Sequence, residues 1–523
     1  MALFLLSFLP LFLLILLLGI IKISARYAAF ISLLSAIVIA VLFFNQNLFL
    51  IFMSLLEGVV FTLWPMIIVL FAALFSYNFI IETKRIDIIK KFITSFSEEK
   101  SVLVLILVWG FGNLLEGIAG YGTPVIIPAG IMIALGFNPF FSAFICLLAN
   151  TVPSAFGAVG IPAITVSIIT KLDPNIMSAF VASQLLPFAV IIPFILVILT
   201  EKSFKKAFKY LPETLAASLG FSISYFLVAF FLGPELPIIV GSLVVITLVI
   251  IVSSLRKKAK TAFLQDKGIE LKNISSGEVI NSFSVYFFVL ILITLVSPLF
   301  PEIKNTLDSL NSSIKFYPGE EGKTLTFYWL TNPGVLILLA VIITAFIDAL
   351  KKQKNYSVLW ISLTKTFKTV KSPSILLILV VSFATIMSYS GMIKILAEQT
   401  AIFTGFLYPL FSPAVGALGA FITGTSISSC ILFGEFQKYV AMNLEINEYW
   451  LIAANLAGGT IGKTLSPYKI AVALASVGIT GQESKLLRKS FYFCFVFVAI
   501  LGIMTFFFSG ISDIIVSIVR SRL

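Results

Sequence analysis

Histidine is absent from all 523 residues. The chain therefore lacks the side chain that ordinarily titrates near neutrality and is the commonest metal ligand, which excludes a histidine-based hydrolase and a histidine-held zinc site. Proton coupling, where present, must fall to a carboxylate, a tyrosine or a perturbed lysine. Cysteine is nearly as scarce: Cys146, Cys430 and Cys494 stand singly in apolar segments without CxxC or metal-like spacing, and read as packing residues. No metal and no cofactor are expected. Charge is the third shortage, at 11% of residues against roughly 25% in soluble domains. That is too little polar surface to cover a water-soluble globule, and no stretch is polar enough to form a soluble catalytic domain.

What remains is apolar: 59% of residues and a mean hydropathy of +1.09. Runs near 2–21, 27–44, 59–81, 176–200, 212–232, 236–255, 280–299, 334–350, 373–392 and 491–517 have the length and polarity of bilayer-spanning helices. The expected fold is an all-α, polytopic integral membrane protein of about 12–14 transmembrane segments. The first run has no basic flank before it and no A-x-A-like site after it, so it reads as a retained helix rather than a signal peptide, entered from an outside N-terminus. The net charge of +12 serves orientation. Basic residues cluster at 22–26, 84–100, 202–209, 256–272, 351–371 and 485–489, which marks those loops as cytoplasmic, while 45–47, 233–237 and 301–333 face outside. This alternating distribution argues against nucleic acid as a partner; membrane lipid is the expected surroundings.

One spacing occurs twice, about 300 residues apart. Ala149-Asn150, Gly157 and Pro162 recur as Ala454-Asn455, Gly462 and Pro467. Each copy follows a Gly-rich interruption about thirty residues earlier, near Gly120 and Gly424. Paired breaks in apolar segments mark a secondary transporter built from two repeats, with its binding site where broken helices meet. Loop charges put the entry to the first region inside and to the second outside, so the repeats are expected to be inverted, with cores at 101–200 and 394–482 and the other helices of a single 1–523 unit as scaffold.

The first break runs from Gly110 to Pro124, with five glycines and a proline in fifteen residues, which no ordinary helix interior tolerates. Irregular backbone at membrane depth survives only where protein or a watery cavity satisfies it. Glu116 lies inside this break. An intramembrane carboxylate is a functional candidate by default, here for proton coupling; the bland alternatives are a structural pair with a lysine or a helix cap. Gly120, Tyr121 and Thr123 line the same break, and Asn150 and Thr151 supply a second tip whose neutral donors suit a carboxylate or hydroxyl; for Asn150 the bland alternative is a helix cap. Half-helix N-termini add partial positive charge.

In the second half hydroxyls dominate: Thr425, Ser426 and Ser428 in one break, then Asn455, Lys463 and Ser466 in the other. Ala457 to Thr464 fits a permissive P-loop pattern, yet it lies in an apolar run without the strand, helix and acidic magnesium ligands that a nucleotide site requires, so ATP is not expected. Lys463 is then a cation near membrane depth, a partner for an anionic ligand, for Glu116, or for an interface to which it snorkels.

These residues resemble the L-lactate permease family. The run W-G-F-G-N-L-L-E-G-I-A-G-Y-G-T-P from Trp109, then L-G-F-N-P and A-N-T-V-P-S-A-F-G-A-V-G-I-P, is similar to that family's central signature. Thr423-Gly424 with Leu432-Phe433-Gly434, and Asn455 to Pro467 with Ile470 to Ala473, resemble its C-terminal one. The resemblance implies a bacterial inner-membrane permease that carries L-lactate, and often glycolate or related 2-hydroxy monocarboxylates, with a proton. The family usually has Asp where this chain has Ser426, Asn where it has Cys430, and Arg where it has Ser183. Loss of an acid together with a base is nearly neutral if they formed a pair; if the Arg bound substrate, more of that task falls to Lys463.

The expected mechanism is alternating access. An anion binds near midmembrane between the Asn150-Thr151 tip, the 424–429 hydroxyls and Lys463, and Glu116 takes the proton. By fold-level analogy the broken unit slides against the scaffold, in a homodimer. The runner-up is a sodium-coupled carboxylate transporter, since Asn, Thr and unwound carbonyls also ligate Na⁺.

Overall fold

The computed structural model describes residues 2–17, 21, 23–94, 97, 99–118, 120, 122–256, 275–296, 299–318, 322, 324–350, 357–479, 481–511 and 515–517. Tyr121 and the basic positions 257–272 and 351–354 lie outside the described residues.

The chain opens with α1 (Ala2–Ile15), α2 (Ala25–Phe43), α3 (Leu48–Phe61), α4 (Ile68–Glu82) and α5 (Arg85–Thr94). The first broken region follows. A short α6 (Lys100–Val104) continues through a π-helical stretch (Leu105–Phe111) into α7 (Gly112–Ile118), then come α8 (Thr123–Ala134), α9 (Pro139–Ala149) and α10 (Gly157–Thr170). Next are α11 (Pro174–Glu201), α12 (Phe204–Ala207), α13 (Leu211–Phe231), α14 (Pro237–Leu255), α15 (Ser276–Ser282), α16 (Ser284–Leu295) and α17 (Pro301–Asp308). A hairpin of β1 (Asn311–Lys315) and β2 (Thr324–Tyr328) precedes α18 (Pro333–Leu350), α19 (Ser357–Tyr389) and α20 (Met392–Thr404). The second broken region comprises α21 (Tyr408–Thr423), α22 (Ser426–Asn443), α23 (Glu448–Gly462) and α24 (Pro467–Ser476), and α25 (Glu483–Phe507) follows it.

Among the described residues ten helices are long and apolar enough to cross a membrane, or eleven if the pair bent by 40° at Ser357–Lys371 and Pro373–Tyr389 is one span. Four shorter apolar helices, α1, α8, α9 and α16, are too short to be counted by length. The 12–14 segments expected from the sequence are reached only by adding such shorter pieces, because the breaks divide apolar runs into half-length helices. The β-hairpin was not anticipated either; it sits in the polar 301–333 connection, where backbone groups need not be satisfied inside a helix.

Two groups of helices emerge from the packing. In one, α11, α13 and α14 pack side by side, α14 lies along the π-helical stretch and α7, and α21 crosses α22, α23 and α25. In the other, α19 runs against α2, α3 and α4, and α18 joins α4 to α16. They meet chiefly where α22 lies against α19 and α20. Ion pairs, one of them fully buried, tie helix ends together. Arg85 donates to both carboxylate oxygens of Asp348 at 2.8 and 2.9 Å, while Arg256 joins Glu99 and Glu213.

Candidate functional site

Glycine conformation sets the first break. Gly120 and Gly122 adopt φ of 59° and 100°, a left-handed region open to Gly at little cost, so α7 stops and α8 restarts with Pro124 in its first turn. At the second tip α9 ends on Asn150. After one turn of 3₁₀ helix (Pro153–Phe156), the chain enters α10 through Ala158, Val159 and Gly160, all left-handed at φ of 45°, 57° and 79°. In the second half α23 ends at Gly462, Lys463–Leu465 form a 3₁₀ turn, and Pro467 starts α24.

These breaks bring one pair of charges together. Lys463 Nζ donates to Glu116 Oε1 at 2.9 Å, with the two side chains 7% and 5% exposed. The pair joins residues 347 positions apart and therefore ties the first broken region to the second. Its surroundings leave little slack: a Cβ placed on Gly157 would lie 2.7 Å from Glu116 Oε1. The charge of Lys469, two residues into α24, acts on both partners. The three groups sum to one positive charge.

The segment that bears Glu116 runs along α14. A Cβ on Gly110 would meet Ile246, and one on Gly117 would meet Ile238 and Ile239. Gly117, next to Glu116, thus lies against the first turn of α14. The connection before α14 closes over this end, with the carbonyl of Pro234 2.5 Å from where a Cβ on Gly160 would sit. Glu235 of that connection has its carboxyl pushed up to about 7 by burial.

The other expected residues are placed as follows. Thr123 Oγ1 donates to Gly120 O at 2.8 Å, and Thr151 Oγ1 to Leu148 O at 2.8 Å. Thr425 caps α22, its Oγ1 accepting from Ser428 N at 3.0 Å and donating to Ser428 Oγ at 2.9 Å. Ser426 is buried in the first turn of α22, and Ser466 in the bend before α24. Asn455 lies inside α23 rather than at a tip. Its Oδ1 accepts from Gln437 Nε2 at 3.2 Å, within a network that includes Tyr408 and Ser412. Most of the hydroxyls are thus engaged by their own backbone or cap.

Residues 3–512 match the L-lactate permease family. The chain belongs to that family. It is 38% identical over 451 residues to the L-lactate permease of Streptococcus iniae, covering 86% of this chain and 93% of that protein. It is 32% identical to the glycolate permease GlcA of Escherichia coli (strain K12), covering 93% and 92%, and 30% identical to the L-lactate permease of Bacillus subtilis (strain 168), covering 90% and 89%. Among solved structures it is similar to the YdaH transporter of Alcanivorax borkumensis at 14% identity, with a TM-score of 0.46 and 87% of each chain covered. Relatives named permeases are transporters, and this family member is a multi-pass membrane protein.

The positions at which this family member departs from the pattern are structurally quiet. Ser183 Oγ donates to Ala179 O at 2.7 Å along its own helix, and Cys430 is fully buried. Two features escaped the sequence. One is a set of buried polar groups near Glu116, among them Trp109, Asn113 and Ser154, whose Nε1, Nδ2 and Oγ atoms have no hydrogen-bond partner. Only Asn113 and Trp109 carried a signal, lying one and two turns before Glu116. The other is a cavity of about 530 Å³ where α10, α19, α20 and α22 meet, lined by Lys171, Lys394, Lys438, Ser390 and Glu435. Ile169, Ser388 and Glu435 also line a cavity of about 40 Å³ that reaches Glu57, whose Oε1 accepts from Tyr389 Oη at 2.5 Å.

Proposed function

We propose that the chain imports L-lactate, and related 2-hydroxy monocarboxylates such as glycolate, across the bacterial inner membrane together with a proton, by alternating access of a unit holding both inverted broken regions. The Glu116–Lys463 pair carries this reading. Lys463 is buried, and a buried charge is costly without a partner of opposite sign. The substrate carboxylate can take that place only when Glu116 gives it up, and protonation of Glu116 is the step that releases Lys463. One ion pair is exchanged for another. The site, with Lys469, holds one net positive charge before and after, so proton and substrate enter together without adding to the buried charge. The names of the lactate and glycolate permease relatives support the cargo.

The test uses purified protein in liposomes. ¹⁴C-L-lactate uptake driven by an inward proton gradient, with choline in place of sodium, is expected to proceed in the native chain and to collapse with a protonophore. Glu116→Gln fixes the released state, so it is expected to exchange labelled for unlabelled lactate but not to accumulate it. Proton-driven accumulation by Glu116→Gln at the native level would remove Glu116 from the mechanism, and uptake that demands sodium would replace the coupling ion.

A further inference from the structure

A set of buried polar groups extends from the Glu116–Lys463 pair along α7 and the segments packed on it. Glu116, Asn113 and Trp109 descend one face of the segment formed by α7 and the π-helical stretch, at successive turns. The Trp109 ring packs on Phe221 of α13 with centroids 4.7 Å apart, Phe221 on Tyr225 at 5.4 Å, and Tyr225 on Phe156 at 5.4 Å. Phe156 immediately precedes Gly157, whose Cβ position abuts Glu116 Oε1. The contacts therefore close a circuit that starts and ends on the helix bearing Glu116. Ser154 stands on the 3₁₀ turn with Phe156, and Ser222 is next to Phe221. Ser242 lies on α14 between the residues that face Gly117 and Gly110, level with Asn113.

All six of Trp109, Asn113, Ser154, Ser222, Tyr225 and Ser242 are at most 2% exposed, and each has a side-chain nitrogen or oxygen without a hydrogen-bond partner in the protein. Buried polar atoms are paired in all but a few cases, so a concentration of orphans at one place calls for an external partner. Their chemistry narrows it. The set is neutral, with an indole N–H, an amide and four hydroxyls, so it suits an uncharged group that both donates and accepts. A carboxylate is already provided for next door by Lys463.

We propose that Asn113, Ser154 and Tyr225, as many of these groups as one hydroxyl can pair with, form the subsite that reads the C2 hydroxyl of a 2-hydroxy monocarboxylate. The assignment rests on the reading of carboxylate binding at Lys463. A site built to hydrogen-bond a substrate hydroxyl rejects the analogue that lacks it, because its own buried groups are then left unpaired.

The experiment compares kcat/KM for lactate with propionate, and for glycolate with acetate, in proteoliposomes carrying native protein, Asn113→Leu, Ser154→Ala or Tyr225→Phe, with the Tm of each. Tyr225→Phe keeps the ring stack and deletes only an orphan hydroxyl, so a structural role predicts an unchanged or higher Tm and unchanged selectivity. The subsite instead predicts that the lactate-over-propionate ratio falls about tenfold in Tyr225→Phe and Ser154→Ala at undiminished Tm. Unchanged ratios in all three variants overturn the proposal. A native protein that takes up glycolate and acetate equally well overturns it too, yet leaves carboxylate transport standing; one that takes up none of the four overturns the functional reading as well.

Discussion

Gly157 decides whether Glu116 and Lys463 can meet. A methyl group there would sit 2.7 Å from Glu116 Oε1, closer than any stable contact, and the carboxylate would have to move off a 2.9 Å bond. Removing one partner of a buried ion pair costs about 3–5 kcal/mol, and displacing the carboxylate forfeits part of that. Gly157→Ala is therefore expected to lower lactate uptake at least tenfold while the protein still inserts and purifies, and shortening the acid in a Gly157→Ala, Glu116→Asp double variant is expected to recover part of it. Uptake measured in both variants checks this, and native rates in Gly157→Ala would mean that the pair is not needed. The adjacent Ala158 and Val159, held left-handed at φ of 45° and 57°, point the same way. Such conformations cost about 1–3 kcal/mol each and persist where surrounding structure enforces them, often at functional sites.

Among the elements, α21 and α23 cross backbone to backbone. Added Cβ atoms would lie 1.9 Å from Asn455 O at Gly416, 1.9 Å from Pro413 O at Gly458 and 2.2 Å from Ala417 O at Gly462. Small residues at such a crossing let helices approach closely where lipid supplies no hydrophobic drive to associate. Gly458→Ala is expected to destabilise by about 3 kcal/mol or more, read as a lowered Tm in detergent and poor yield; an unchanged Tm would contradict the close crossing. This contact explains where sequence reading succeeded and where it failed. Breaks at Gly120, Gly122, Gly424 and the Lys463–Ser466 turn were legible because Gly and Pro act locally. The repeated Asn-x₆-Gly spacing did not carry equal structure in its two copies. Asn150 ends α9, whereas α23 continues through Asn455, since Gly458 and Gly462 serve the crossing with α21. The Glu116–Lys463 contact was readable only as one alternative among several. Nothing local reports on a partner 347 residues away, and the orphan set, built from four separate segments, was legible only at Asn113 and Trp109.

For the whole molecule, the two groups of helices leave a cavity with Lys171, Lys394 and Lys438 on its walls. Lys438 is partly engaged, donating to Thr170 O at 2.7 Å and standing 3.5 Å from Glu448, while Lys171 and Lys394 are exposed. Exposed charges of one sign in a concave mouth raise the local concentration of counter-ions and lose that effect as salt rises. A Lys171→Gln, Lys394→Gln variant is expected to raise KM for lactate about threefold with kcat held, and to flatten the dependence of KM on ionic strength; identical salt profiles would assign no steering to this mouth. Gly117, next to Glu116, lies against Ile238, second of the nineteen residues of α14, which has an electrical consequence for the proposed coupling. With that end of α14 outside, as the loop charges predict, only a small part of the transmembrane potential, worth about 2.3 kcal/mol per charge per 100 mV across the full thickness, acts on capture of a proton by Glu116. On the proposed mechanism, capture then answers mainly to pH, and voltage to the movement that follows.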